Sequence, residues 1–147
     1  MLLGIINRTN EAKVSIESLI SRDLLRTAAD ATLSDVATTM ISMASSSVLV
    51  FDAQELVGVI TLRDIVRAAL LEPDIAQVQV KKYMTTQPWV VSPSSNVSDI
   101  AARMINHGIE HVPVVQEGEV VGILSSFDLV AYLALQGEGE ADASTGH

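Results

Sequence analysis

Two short stretches hold the residues whose types and spacing could do chemistry. Gly58-Val59-Ile60-Thr61-Leu62-Arg63-Asp64 and Gly122-Ile123-Leu124-Ser125-Ser126-Phe127-Asp128 lie sixty-four residues apart, and in each an apolar run leads from a glycine to a hydroxyl residue, with an aspartate three positions later. An apolar run ending in Ser/Thr-x-x-Asp at the start of an amphipathic stretch reads as a strand feeding a helix. The spacing suits a capping box, in which the hydroxyl accepts from the third backbone N–H of the helix while the carboxylate reaches back. Such a cap stabilises a helix by about 0.5–2 kcal/mol and needs no ligand. The same geometry suits an anion such as phosphate, because a helix N-terminus offers unpaired N–H donors and partial positive charge. A carboxylate beside it could accept from two sugar hydroxyls. Spacing alone leaves both readings open.

Other chemistries find less support. His107-Gly108-Ile109-Glu110-His111 spells H-x-x-E-H, the order of an inverted zinc-peptidase motif. A zinc hydrolase working through His107, Glu110 and His111 would need both histidines on one face of a continuous helix, and Gly108 stands at a natural helix stop with Pro113 close behind. The chain has no cysteine, so a disulfide framework, a thiolate metal site and a thiol nucleophile are all excluded. Ala44-Ser45-Ser46-Ser47 lacks the glycines of a nucleophile elbow, and no Gly-rich phosphate loop with a following lysine occurs. The sequence therefore predicts a protein that is not an enzyme.

The elements that would position the two motifs recur in one order. In the first half, Val14 to Ile20 has a short helical pattern and Leu24 to Thr27 could form a brief strand. Thr32 reads as an N-cap with Asp35 at N3, followed by Leu33, Val36, Ala37, Met40 and Ile41 on one helix face. Val48-Leu49-Val50-Phe51 and Leu56-Val57-Gly58-Val59-Ile60 read as a hairpin with a four-residue loop, Asp52-Ala53-Gln54-Glu55. A helix from Leu62 to Leu71 then stops before Pro73. The second half repeats this without a gap: Asn96 and Asp99 replace Thr32 and Asp35, and Val112-Pro113-Val114-Val115 and Val120-Val121-Gly122-Ile123-Leu124 replace the hairpin, with Gln116-Glu117-Gly118-Glu119 as its loop. The resulting reading is α/β (α+β): an N-terminal extension over 1–13, β-α-β-β-α repeats over 14–72 and 73–135, and an acidic, mobile tail over 136–147. Each repeat would have one sheet face covered by helices and one bare, so two copies would pack sheet to sheet with pseudo-two-fold symmetry.

Composition narrows the partners. A net charge of −9 argues against nucleic acid, whose backbone is held by clustered Lys and Arg. Residues 1–82 hold eight of the nine basic side chains, so a polyphosphate would be met mainly by the first half, with Arg22, Arg26 and Arg63 as candidates. The apolar opening Met1-Leu2-Leu3-Gly4-Ile5-Ile6 is too short for a signal core or a membrane span, and a cytoplasmic setting without membrane attachment is expected.

Both halves resemble cystathionine-β-synthase (CBS) domains, and residues 14 to 135 are similar to a free-standing CBS pair, the regulatory Bateman module that binds adenosine nucleotides. The Gly-apolar-apolar-Thr/Ser-x-x-Asp pattern occurs at matching places in both repeats, and Val112-Pro113-Val114-Val115 matches the family's usual second strand. Val48-Leu49-Val50-Phe51 departs from it by lacking the proline.

The resemblance implies clefts in which the motif aspartate of one repeat holds a ribose while residues of the other enclose the base. Asp128, with Ser125 and Ile123, would work with Leu25, Arg26, Ser45 and Ser46. Asp64, with Thr61 and Val59, would work with Trp89, Val90, Ile109 and Glu110, and His111 occupies a position that often faces phosphate. Glu110 and Trp89 are unusual there, and a carboxylate near phosphate is unfavourable unless a cation intervenes; the Asp128 site is therefore expected to be the better one. Trp89 could equally plug the seam as core. The ligand class implied is AMP, ADP or ATP, with Mg as a possible companion, acting on a regulated protein partner through a conformational change of a homodimer. The competing class is a CBS-like dimerisation or docking scaffold whose clefts are filled by its own side chains.

Overall fold

In the computed structural model, residues 16–145 are described, with side chains over 16–135. The chain divides into two compact units, one spanning Asp23–Pro88 and the other combining Trp89 onward with the chain up to Arg22.

In the Asp23–Pro88 unit, β1 (Arg26–Ala28) runs parallel to β2 (Ser47–Asp52), which forms an antiparallel hairpin with β3 (Glu55–Thr61); β4 (Thr85–Thr86) completes the sheet in the order β1-β2-β3-β4. The helix α1 (Leu33–Ser42) starts where its residues require: the Thr32 hydroxyl accepts from the Asp35 N–H at 3.1 Å. The helix α2 (Leu62–Leu71) follows β3 directly. Leu33, Val36 and Met40 of α1 and Ile65 and Ala68 of α2 meet Val48, Val50 and Ile60 of the hairpin in one buried cluster. Val78, just after the short 3-10 turn Ile75–Gln77, and Val80, which opens the turn Val80–Lys82, close this core. Their backbone is tied down too, since Leu33 N–H donates to Val78 O and Val80 N–H to Ala31 O.

The other unit repeats the plan. Its helices α3 (Val97–His107) and α4 (Ser126–Thr145) flank the hairpin of β5 (His111–Gln116) and β6 (Glu119–Ser125), and Val91 bridges Val114 in parallel as Thr27 pairs Val50. The core is Ile16, Val91, Val97, Ile100, Ala101, Met104, Val112, Val114, Leu124 and Leu129. Ile16 opens the 3-10 turn Ile16–Ser18, which is what becomes of the helical pattern read over 14–20; Val14 lies outside the described residues.

The compact units are cut at 22/23 and 88/89 and not at the joint between sequence repeats, because the lead-in to each repeat pairs with the final hairpin strand belonging to the other. Thr85 pairs Val59, and sixty-four positions away on both sides Ser21 bridges Ile123. This crossing explains the motif glycines. A Cβ on Gly58 would stand 2.6 Å from Met84 Sδ and 2.9 Å from Thr85 O, and one on Gly122 would stand 2.5 Å from Ile20 Cδ1 and 3.1 Å from Ser21 O.

Two expectations change. The hairpins turn through two residues, not four: Asp52 pairs Glu55 and Gln116 pairs Glu119. Ala53 (φ 53°) stands in the left-handed region at the first turn, and Glu117 (φ 53°) and Gly118 (φ 80°) do so at the second, where both central residues have the positive φ of a type I′ turn. The acidic stretch read as a mobile tail over 136–147 continues α4 as far as Thr145. Gln, Glu and Ala are good helix formers and extend a helix already nucleated at Ser125, despite Gly137 and Gly139.

Candidate functional site

The two motifs take the same backbone path and differ in how much of their carboxylate is used. In the first unit the capping box is complete: Thr61 N–H donates to Asp64 Oδ2 at 2.9 Å, and Asp64 N–H donates to Thr61 Oγ1 at 3.3 Å. The Thr61 hydroxyl adds a bond to the same Oδ2 at 3.0 Å, and Arg67 Nη2 takes the other oxygen, Oδ1, at 2.9 Å. Asp64 is buried, at 7% exposure.

In the second unit Ser125 N–H donates to Asp128 Oδ2 at 2.9 Å and Asp128 N–H to Ser125 Oγ at 3.1 Å. Asp128 is half-buried, and Ala131, which has no guanidinium to offer, stands at the position matching Arg67. The Asp128 carboxylate thus accepts one bond from the described residues where Asp64 accepts three. Each motif is also bordered by the start of its own unit's hairpin. Leu62 N–H donates to Ser46 O and Ser126 N–H to Glu110 O, while Ser47 pairs Thr61 and His111 pairs Ser125.

The predicted site residues fall into two sets. Leu25, Arg26, Ser45, Ser46, Val59, Thr61 and Asp64 belong to the first unit; Trp89, Val90, Ile109, Glu110, His111, Ile123, Ser125 and Asp128 belong to the second. Leu25 packs on its unit's core, and Arg26 lies over the Phe51 ring, 4.5 Å from its centroid. Trp89 packs against the core of the second unit with the Arg103 guanidinium 4.4 Å above its ring, so one face of the indole is occupied. Ile109 packs on the same core, while Val90 is 40% exposed.

A groove of about 540 Å3 runs along Trp89, Val90, Ser95, Asn96 and Asp99, but no residue of the Ser125–Asp128 motif lines it. Asn96, one of its lining residues, has its Oδ1 committed to capping α3 through the N–H groups of Ser98 and Asp99.

The geometry removes the zinc-hydrolase alternative. The helix α3 ends at His107, Gly108 caps it in the left-handed region at φ 64°, and His111 opens β5, so the two histidines share no helix face. Among the described residues, no three His, Asp or Glu side chains converge on a metal position. Among the described residues, no helix is long and apolar enough to cross a membrane.

Two arginines that matter here, Arg67 and Arg103, escaped the sequence reading. Arg67 had a legible signal, the i, i+3 spacing from Asp64 that has no counterpart after Asp128. Arg103 over Trp89 had none, since it reaches an aromatic on another element.

The sequence profile of the CBS domain matches residues 16–71 and 80–135, one copy for each repeat. The chain belongs to the CBS-domain family. An uncharacterised protein of Acidianus ambivalens is 38% identical over 104 residues, covering 69% of this chain and 62% of the relative; one of Methanocaldococcus jannaschii is 36% identical over 85 residues, covering 58% and 30%. The chain thus spans less than two thirds of the length of these relatives. Among solved structures, a CBS domain pair in complex with 5'-methylthioadenosine and S-adenosyl-L-methionine is similar in fold at a TM-score of 0.75 and 22% identity, covering 84% of this chain and 98% of that one.

Proposed function

We propose that this CBS pair is a regulatory module, not an enzyme, that binds an adenosine nucleotide, with Asp128 gripping the ribose. The observation that supports this most is the half-buried Asp128 carboxylate, held at the N-terminus of α4 by Ser125 N–H and given no other hydrogen-bond donor among the described residues. A carboxylate accepting two hydroxyl hydrogens beside a helix's positive end suits a sugar bearing a phosphate. The adenosine-containing ligands of the similar CBS pair support the same class. AMP, ADP and ATP are the proposed ligands. A magnesium ion would come with the phosphates, since no side-chain cluster among the described residues is built to hold one.

Such a module acts by population shift: a ligand that binds one arrangement better favours it, and a partner reads the change. The α2 helix offers a surface for self-association, because Leu62, Val66 and Leu70, on one stripe at four-residue spacing, are 49%, 53% and 81% exposed. Phe127 and Val130 do the same on α4, at 76% and 59%. A homodimer formed through these helices is part of the proposal.

One observation favours the scaffold reading: Leu25 and Trp89, both assigned to ligand, already pack against their own units. A thermal-shift screen with AMP, ADP, ATP and S-adenosylmethionine separates the two. A ligand of micromolar affinity at millimolar concentration raises stability by about 4 kcal/mol. No shift with any of the four would leave the scaffold standing.

A further inference from the structure

The asymmetry of the two motifs centres on Arg67. A carboxylate has about four lone-pair positions, and a ribose diol needs two of them. At Asp64, three are taken: Thr61 N–H and Thr61 Oγ1 on Oδ2, Arg67 Nη2 on Oδ1. At Asp128 the described residues take one, through Ser125 N–H. The Thr61 backbone bond belongs to the helix cap and cannot be given up without uncapping α2. The Arg67 bond is the one that could yield, because its side chain is 55% exposed while that of Asp64 is only 10% exposed.

We infer that Arg67 is a specificity-determining residue that occupies the sugar-gripping carboxylate of the first repeat from within the chain, so that a nucleotide finds one competent aspartate, Asp128. Losing a charge-assisted hydrogen bond costs enough to lower affinity at Asp64 by about tenfold or more relative to an unoccupied carboxylate. Ala131, at the place of Arg67 in the second repeat, marks the open state of the same design. This inference rests on the nucleotide reading, and its test separates the two.

The test is calorimetric titration with AMP of the full chain and of the variants Arg67→Ala, Asp128→Ala and Arg67→Ala/Asp128→Ala, alongside NMR of the Arg67 guanidinium. The full chain is expected to bind one AMP tightly, with Asp128→Ala abolishing that event. Arg67→Ala should gain a second event at least tenfold tighter than any second site of the full chain, and the double variant should keep only that one. Rotation about the Arg67 Cζ–Nη bonds should be slowed in the full chain by the ion pair. Two equal sites in the full chain, an Arg67→Ala titration identical to the full chain's, or a freely rotating guanidinium would each overturn the inference while leaving nucleotide binding intact. Absence of AMP binding in all four proteins, checked as folded by circular dichroism, would overturn both.

Discussion

At the scale of single residues, the two motif glycines, two hydroxyls and two aspartates have separable tasks. The hydroxyl–aspartate pairs cap α2 and α4, and this was legible in the sequence because a cap depends on residues three apart. The glycines were legible as part of a repeated pattern but not in purpose. What forbids a side chain at Gly58 is Met84 and the Thr85 carbonyl, and at Gly122 it is Ile20 and the Ser21 carbonyl, which reach the strand only through the fold. Gly58→Ala is expected to destabilise by about 1–3 kcal/mol, the range for forcing extra volume into a packed site. Chemical denaturation checks this. An unchanged midpoint would mean that β4 can move aside.

At the scale of elements, α2 is fastened to the segment that follows it. Glu72, at its C-terminal end, accepts from Lys82 Nζ and from the Tyr83 hydroxyl at 3.0 Å. The Lys82 hydrogen bond, with help from Tyr83, holds the Glu72 carboxyl below its ordinary 4.5; the same bond holds Lys82 above 10.5, and desolvation followed by the Glu72 contact raises Tyr83 above 10.0. A carboxyl with a depressed folded-state pKa contributes stability above its unfolded value that is lost as pH falls through the folded one. The raised Lys82 and Tyr83 contribute stability below their unfolded values that is lost as pH rises. Stability from this cluster should therefore be level across neutral pH, fall below 4.5 and fall again above 10.0. Glu72→Gln should flatten both flanks, and thermal melts across pH would measure it. An unaltered profile would leave the cluster without energetic weight. The helices and hairpins themselves were legible from periodicity. The two-residue turns were not, because Ala53 and Glu117 are poor signals of positive φ. Nor was the extension of α4, whose acidic, glycine-containing sequence reads as tail until the capped helix before it is taken into account.

At the scale of the whole molecule, repetition was the most legible property, since a sixty-four-residue offset runs through both units without a gap. The division of the chain into compact units was less so, because strand exchange such as Thr85 on Val59 and Ser21 on Ile123 leaves no local mark. Of the candidate site, the two aspartates and their hydroxyls were readable; the inequality created by Arg67 was legible only as an i, i+3 spacing, and that its guanidinium takes Asp64 Oδ1 is a fact of the fold. Self-association through the exposed stripe of α2 is testable by sedimentation: the chain is expected to be dimeric, and Val66→Glu/Leu70→Glu should make it monomeric while leaving it folded. A chain that is monomeric at the outset contradicts that part of the proposal. The central claim, that Asp128 is the carboxylate that takes the sugar, is tested most directly by calorimetry of AMP binding to Asp128→Ala and Asp64→Ala side by side. Removal of two charge-assisted hydrogen bonds should weaken binding to the Asp128 variant by about a hundredfold or more, with the Asp64 variant close to the unaltered chain. Binding that survives in Asp128→Ala and disappears in Asp64→Ala would contradict it.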